Sequence, residues 1–173
     1  MTAAVMPHLF ALDQNFPEPI VATLQRYLED DVELVPIRDI DRRLPTCEDW
    51  QVLHALHIHE RRWDGLITTD HDMLSLPKEL SVLCQSRLSL VIAVAAGHDP
   101  IKATGLVLAH ISSVCSQTRP ETPQVWRLRT MAKPPEDPWV FITNIASRQG
   151  ERAAALYERE RLSAQDLGSD PLA

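Results

Sequence analysis

The chain has 173 residues, 45% of them hydrophobic and 24% charged, with a formal net charge of −7. That length and apolar fraction suit one globular domain with its own core and exclude a disordered or collagen-like chain. The negative balance argues against a general nucleic-acid-coating protein, whose phosphate contacts need surplus Lys and Arg, without deciding the matter by itself. Residues 1–118 carry 9 basic and 16 acidic residues and so hold the entire deficit, whereas the stretch from Arg119 onward is balanced at 8 and 8. Residues 1–10 lack a basic leader followed by an apolar run, and no segment reaches the roughly 18 apolar residues of a membrane span, so a cytoplasmic protein without membrane contact is expected. Cys47, Cys84 and Cys115 form no CxxC pair, which predicts free thiols in a reducing compartment.

The first predicted element is an apolar strand over His8–Leu12 that ends in Asp13-Gln14-Asn15. Pro17 and Pro19 flank Glu18 at a helix start, and Ile20, Val21, Leu24 and Leu28 supply an apolar stripe that Glu29, Asp30 and Asp31 stop. Residues 32–37 alternate as a second strand, followed by a charged loop over residues 38–43. Thr46 then reads as an N-cap, with Asp49 three residues later as an approximate capping box, for a helix running to about Arg62. Leu66, Ile67, Thr68 and Thr69 form a third, buried strand, which runs into Asp70-His71-Asp72. A short helix from Pro77 toward Cys84, an apolar strand within residues 88–96 ended by Gly97, and an amphipathic helix begun by Asp99-Pro100 complete the regular part.

Alternation of strand and helix predicts a three-layer α/β/α sandwich with a central, mainly parallel sheet over residues 1–118. Residues 119–173 are expected to be a C-terminal extension packed on or beside it. Its predicted elements are two strands, over residues 124–131 and 139–143, then a charged helix after Gly150 and a frayed end over residues 164–173.

Three separate segments bring carboxylates to comparable places: Asp13 after the first strand, Glu48 and Asp49 at a helix N-terminus, and Asp70 with Asp72 after the third strand. Strand carboxyl ends and the following helix N-termini share one rim of such a sheet, where ligands bind. Hard oxygen ligands suit Mg²⁺ or Mn²⁺, ions that activate water and stabilise a leaving oxygen in phosphodiester cleavage. Each acid also has a bland reading: Asp13 with Asn15 as a turn and helix cap, Asp49 as the capping-box partner, Asp70 and Asp72 as caps of the next turn.

Leu12-Asp13-Gln14-Asn15-Phe16-Pro17, then Glu48-Asp49-Trp50 with Val52 and Ala55 behind it, then Leu66-Ile67-Thr68-Thr69-Asp70-His71-Asp72-Met73, resemble the PIN-domain family. The resemblance covers roughly residues 8–115 and points most closely to short bacterial PIN-like proteins related to toxin–antitoxin ribonucleases. It implies a parallel α/β/α sandwich and Mg²⁺- or Mn²⁺-dependent cleavage of RNA by an acidic cluster. Asp13 matches the family's first metal-binding acid, Asp49 (or Glu48, by a one-residue shift) the helix-borne acid, and Asp70 with Asp72 the later pair. Gln14 stands where a second acid is usual. A cognate antitoxin or a homodimer is the partner the resemblance implies, and the alternative is a catalytically degenerate PIN-like binding protein.

Asn15, Thr69 and His71, beside those acids, are candidate substrate contacts, together with Arg127 and Arg129 on the tail strand, where alternation turns Trp126 and Leu128 to the opposite side; the bland readings are a solvent-exposed His71 and a solvated, charged strand edge. His54, His57 and His59 lack HExxH spacing and read as a polar helix face rather than a zinc site. A receiver-type phosphoacceptor would want adjacent acids after the first strand and a lysine after the last parallel strand. Here Gln14 follows Asp13, and Gly97-His98-Asp99 follows the fourth strand.

Overall fold

The computed structural model describes residues 6–16, 18–28, 31–97 and 99–173, the side chains of residues 18–21 excepted. Pro17, the Glu29-Asp30 helix stop, His98 and the side chains of Ile20 and Val21 therefore lie outside the described residues. Five strands, β1 (His8–Leu12), β2 (Val32–Pro36), β3 (Gly65–Thr68), β4 (Ser89–Ile92) and β5 (Gln124–Arg127), form one sheet in the order β2-β1-β3-β4-β5. Every neighbouring pair is parallel. Parallel strands require crossovers, and here they are helices on both faces, the three-layer α/β/α sandwich that the alternating pattern predicts.

Helices α1 (Glu18–Tyr27), α2 (Ile37–Ile40), α3 (Asp49–Ile58), α4 (Pro77–Cys84) and α5 (Pro100–Gln117) make the crossovers, and α6 (Pro138–Gln149), α7 (Ala153–Glu160) and α8 (Ala164–Leu167) follow β5. Strand residues alternate between faces and so divide the core. Phe10, Leu12, Ile67, Val91 and Trp126 pack with Leu24, Val107 and Ile111 of α1 and α5. On the other face Leu9, Ala11, Leu66, Leu90 and Val125 pack with Leu53, Leu56 and Leu83 of α3 and α4. Among the described residues no helix is long and apolar enough to cross a membrane.

Several local expectations are corrected. The loop after β2 contains α2. Thr46 does not cap α3: it closes a 3-10 turn over Leu44–Thr46, its hydroxyl donating to the Arg43 carbonyl at 2.8 Å. With that hydroxyl engaged, Glu48 becomes the N-cap and Gln51 completes the capping box. The helix ends at Ile58 because His59 is extended.

The tail departs most. Gln124–Arg127 is the fifth parallel strand of the main sheet, and the expected partner strand over residues 139–143 lies inside α6. Trp139, Val140, Phe141, Ile142 and Thr143 have strand-like side chains, but the ends of the segment are helix signals. Asp137 caps it, its Oδ1 accepting from the Trp139 amide at 2.8 Å, Pro138 opens the first turn, and Gly150 closes it at φ 72°. Ile142, Ile145 and Ala146 then share a helical face buried against Leu80 and Leu156. What survives of the hairpin is one antiparallel bridge, Val125 to Glu136.

The end of the chain is not frayed. Leu167 and Leu172 pack against the α3 face of the core, and Arg43, Gln51 and His54 bond to carbonyls of this segment.

Candidate active site

In the observed strand order the chain leaves β1 for β2 on one side and returns to β3 on the other. The crevice beyond the carboxyl ends of β1 and β3 is therefore the topological switch point, the usual ligand position of open parallel sheets. Asp13 and Asp70 emerge there from neighbouring strands. The Asp13 amide donates to the Ile67 carbonyl at 2.9 Å, so the ladder between β1 and β3 runs up to the acid itself.

Thr68 ties the two acids together. Its hydroxyl, on a fully buried residue, donates to Asp13 Oδ2 at 2.8 Å and accepts from the Asp70 amide at 3.0 Å. Asp13 Oδ1 accepts from the Gln14 amide at 2.7 Å, and Asn15 Nδ2 donates to Asp13 Oδ2 at 3.1 Å. The acid of β1 is thus also the turn cap of the bland reading. Asp70 Oδ1 likewise accepts from the Asp72 amide at 2.8 Å. Burial raises the proton affinity of Asp13 above the ordinary carboxylate value, with the negative charge of Asp70 adding to it, while the bonds from Thr68, Gln14 and Asn15 oppose the rise.

Asp49 reaches the same field from the first turn of α3. Its pKa is pushed up to about 6, first by burial and then by the charges of Asp13, Asp70 and Glu79. Glu79, in the first turn of α4, is itself raised by burial and by Glu48. Glu48 accepts from Trp50 Nε1 and caps α3, so of the two adjacent acids Asp49 is the one in the field of Asp13 and Asp70. Asp49 thus lies in the field of Asp13 and Asp70 on one side and of Glu79 on the other.

A proton held more tightly by the folded chain than by the unfolded one stabilises the fold at low pH. For Asp49 that contribution is complete below about 3.8 and is lost as pH rises through about 6. Asp49→Asn should therefore raise unfolding free energy at pH 7.5 by about 1 kcal/mol after discounting for solvent screening, and change it little at pH 4. Denaturant titrations at the two pH values check this; equal effects at both would contradict it.

Asp72 does not join the cluster. Asp70 is followed by a 3-10 turn, Asp72–Ser75, which turns the Asp72 side chain into solvent, 79% exposed and 3.4 Å from His71 Nε2. It nonetheless lines, with Asn15, Thr69, Asp70, His71 and Pro100, an open cleft of about 450 Å³ above the switch point. Among the described residues no lysine lines this cleft.

Arg127 is committed elsewhere: its guanidinium makes a two-pronged ion pair with Glu136 at 2.6 and 2.8 Å and lies 5.6 Å over the Phe141 ring. Arg129 is exposed beside β5, its carbonyl 2.7 Å from His110 Nε2, two strands away from β3. Neither arginine lines the cleft. The three α3-region histidines diverge. His54 is buried against the chain end, His57 contacts Arg87, and His59 Nδ1 accepts from the Arg61 amide. Cys47, Cys84 and Cys115 are free, and burial pushes the Cys84 and Cys115 thiols up to about 12, away from nucleophilic use.

Sequence reasoning passed over Thr68 and Glu79. The signal for Glu79 was available, because Pro77-Lys78-Glu79 puts an acid in the first turn of a helix that follows a strand, as Glu48-Asp49 does. Among the described residues no group of three or more His, Cys, Asp or Glu is placed to hold a metal ion. Comparisons with protein-family models, with curated proteins and with solved structures find no match to this chain. Function must therefore be argued from the chemistry of the rim.

Proposed function

We propose that the acidic rim is the active site of a Mg²⁺- or Mn²⁺-dependent endoribonuclease of PIN type. The observation that carries this reading is the joining of Asp13 and Asp70 through Thr68 at the switch point, with Asp49, raised first by burial, in the field of both. Crowding acids costs stability, and such crowding is expected where a cation or a transferable proton offsets it.

The donor chemistry fits a hard cation, which keeps several waters and takes one or two carboxylates together with substrate phosphate. Asp13 and Asp70, coupled through Thr68, are the residues that would hold it. A bound ion would supply charge to the phosphoryl oxygens and acidify water. Asp49, in the field of Asp13 and Asp70, is the carboxylate that would take the proton of the attacking water. Asn15, Thr69 and His71 present hydrogen-bond donors along the cleft, where a phosphate could rest. RNA as substrate, a cytoplasmic setting and a cognate antitoxin or second copy as partner belong to this proposal.

One observation favours a second reading, a PIN-like binding protein without catalysis. Asp13 and Asp70 already spend oxygens on local turn bonds, and Asp72 faces solvent. Calorimetric titration with Mn²⁺ separates the two: binding by the parent protein, lost in Asp70→Ala, supports the nuclease. A parent protein that binds no Mn²⁺ leaves the binding-module reading.

A further inference from the structure

We infer that residues 169–173 form a strap that positions the helix N-terminus carrying Asp49, acting through the side chain of Gln51. The inference rests on the ribonuclease reading for its consequence and on hydrogen-bond geometry for its mechanism. Gln51 occupies the third position of α3, and its Oε1 accepts from the Glu48 amide at 3.0 Å, closing the capping box. The other end of the same amide, Nε2, donates to the Pro171 carbonyl at 3.2 Å.

A glutamine amide has two ends of nearly equal shape and opposite function. A lone capping glutamine can turn over and present Nε2 to the helix, where the Glu48 amide has nothing to accept it. The Pro171 carbonyl can accept but not donate, so it takes the Nε2 end and selects the orientation in which Oε1 faces Glu48. The strap is itself anchored independently of Gln51. Arg43 Nη1 donates to the Leu172 carbonyl at 2.8 Å, Leu172 packs on the core, and His54 Nε2 lies 3.0 and 3.2 Å from the Asp166 and Ser169 carbonyls. These side chains address the backbone of the strap, so its path matters more than its sequence.

Asp49 is the first residue of the helix that this capping box begins, adjacent in sequence to Glu48. Loosening the box shifts the Asp49 carboxylate relative to Asp13 and Asp70, and displacements of about 1 Å are enough to impair a site of this kind. Gln51 is therefore a positioning residue, and the distant end of the chain is part of the support of the rim.

Amide hydrogen exchange at Glu48 and Mn²⁺ titration are to be measured together in the full chain, in a chain ending at Ser169, and with Gln51→Met in both. Truncation should speed Glu48 exchange on the order of fivefold, the loss of about one capping hydrogen bond, while Mn²⁺, held by Asp13 and Asp70, still binds. Gln51→Met in the full chain should do at least as much, and truncation should add nothing further to it. A tail that merely stabilised the fold would add its loss in both backgrounds, and that additive outcome overturns the inference. Unchanged Glu48 exchange after truncation overturns it as well. Arg43→Ala, which frees the Leu172 carbonyl in the full-length chain, should move Glu48 exchange in the same direction and serves if the shortened chain does not fold. If the parent protein binds no Mn²⁺, the ribonuclease reading fails alone, and exchange at Glu48 still decides the strap.

Discussion

Gly65→Ala should destabilise the protein by more than about 3 kcal/mol, because the new methyl group meets backbone that cannot yield. A Cβ at Gly65 would lie 2.0 Å from the Ser89 carbonyl oxygen, 2.9 Å from its carbon and 3.1 Å from Phe10 Cε1. Gly65 is paired with Ser89 on one side and Phe10 on the other, in the middle of the sheet. A flexible side chain could rotate away, whereas the Ser89 carbonyl belongs to β4 and can move only if the strand moves. Relief must come from separating β3 from β4, which breaks the ladder as far as the bond from the Ala93 amide to the Thr68 carbonyl. Denaturant titration of the variant checks the stability, and a loss below about 0.5 kcal/mol would contradict the packing described here.

Asp13→Asn should lower Mn²⁺-dependent cleavage of labelled RNA on the order of 10²–10³-fold while leaving the fold intact. Asparagine preserves the shape of the side chain and retains an oxygen for the Thr68 hydroxyl, so the β1–β3 link survives. It removes the charge, which the proposed chemistry needs and the fold does not. Burial disfavours the ionised form of Asp13, which offsets the loss of the bond from the Gln14 amide, so at neutral pH the variant should lose little stability. Lost cleavage with retained stability assigns the carboxylate to the reaction, whereas undiminished cleavage would sink the role given to the rim.

The rim was legible in the chain because its evidence is local. An apolar strand that runs directly into an acid states a conflict between burial and charge within a few residues, and Asp13 and Asp70 both carry it. The pair Asp70 and Asp72 shows the limit. Spacing of two suggests two carboxylates at one place, yet the 3-10 turn that follows Asp70 points Asp72 to solvent, while Glu79 enters the field of Asp49 from α4. Arg127 shows it again: its charge and alternation were readable, but not its commitment to Glu136, which depends on where the chain returns after β5.

Helix α6 failed for a different reason. Trp139, Val140, Phe141, Ile142 and Thr143 favour strands by side-chain shape, and that preference is weak beside a capped start, a proline in the first turn and a glycine at the end. The chain end failed because Leu167 and Leu172 are too sparse to form a pattern. Their burial becomes visible only once α3 is in place to receive them.

By itself the sequence determined the alternation of strands and helices as far as α5, the parallel sheet, and the acids after the first and third strands, since each follows from short-range periodicity and from charge placed against apolar runs. Tertiary structure alone decided which acids meet. That β2 lies outside β1, so that β1 and β3 become neighbours with Thr68 between their acids, is a property of strand order, and strand order arises from packing between segments distant in the chain.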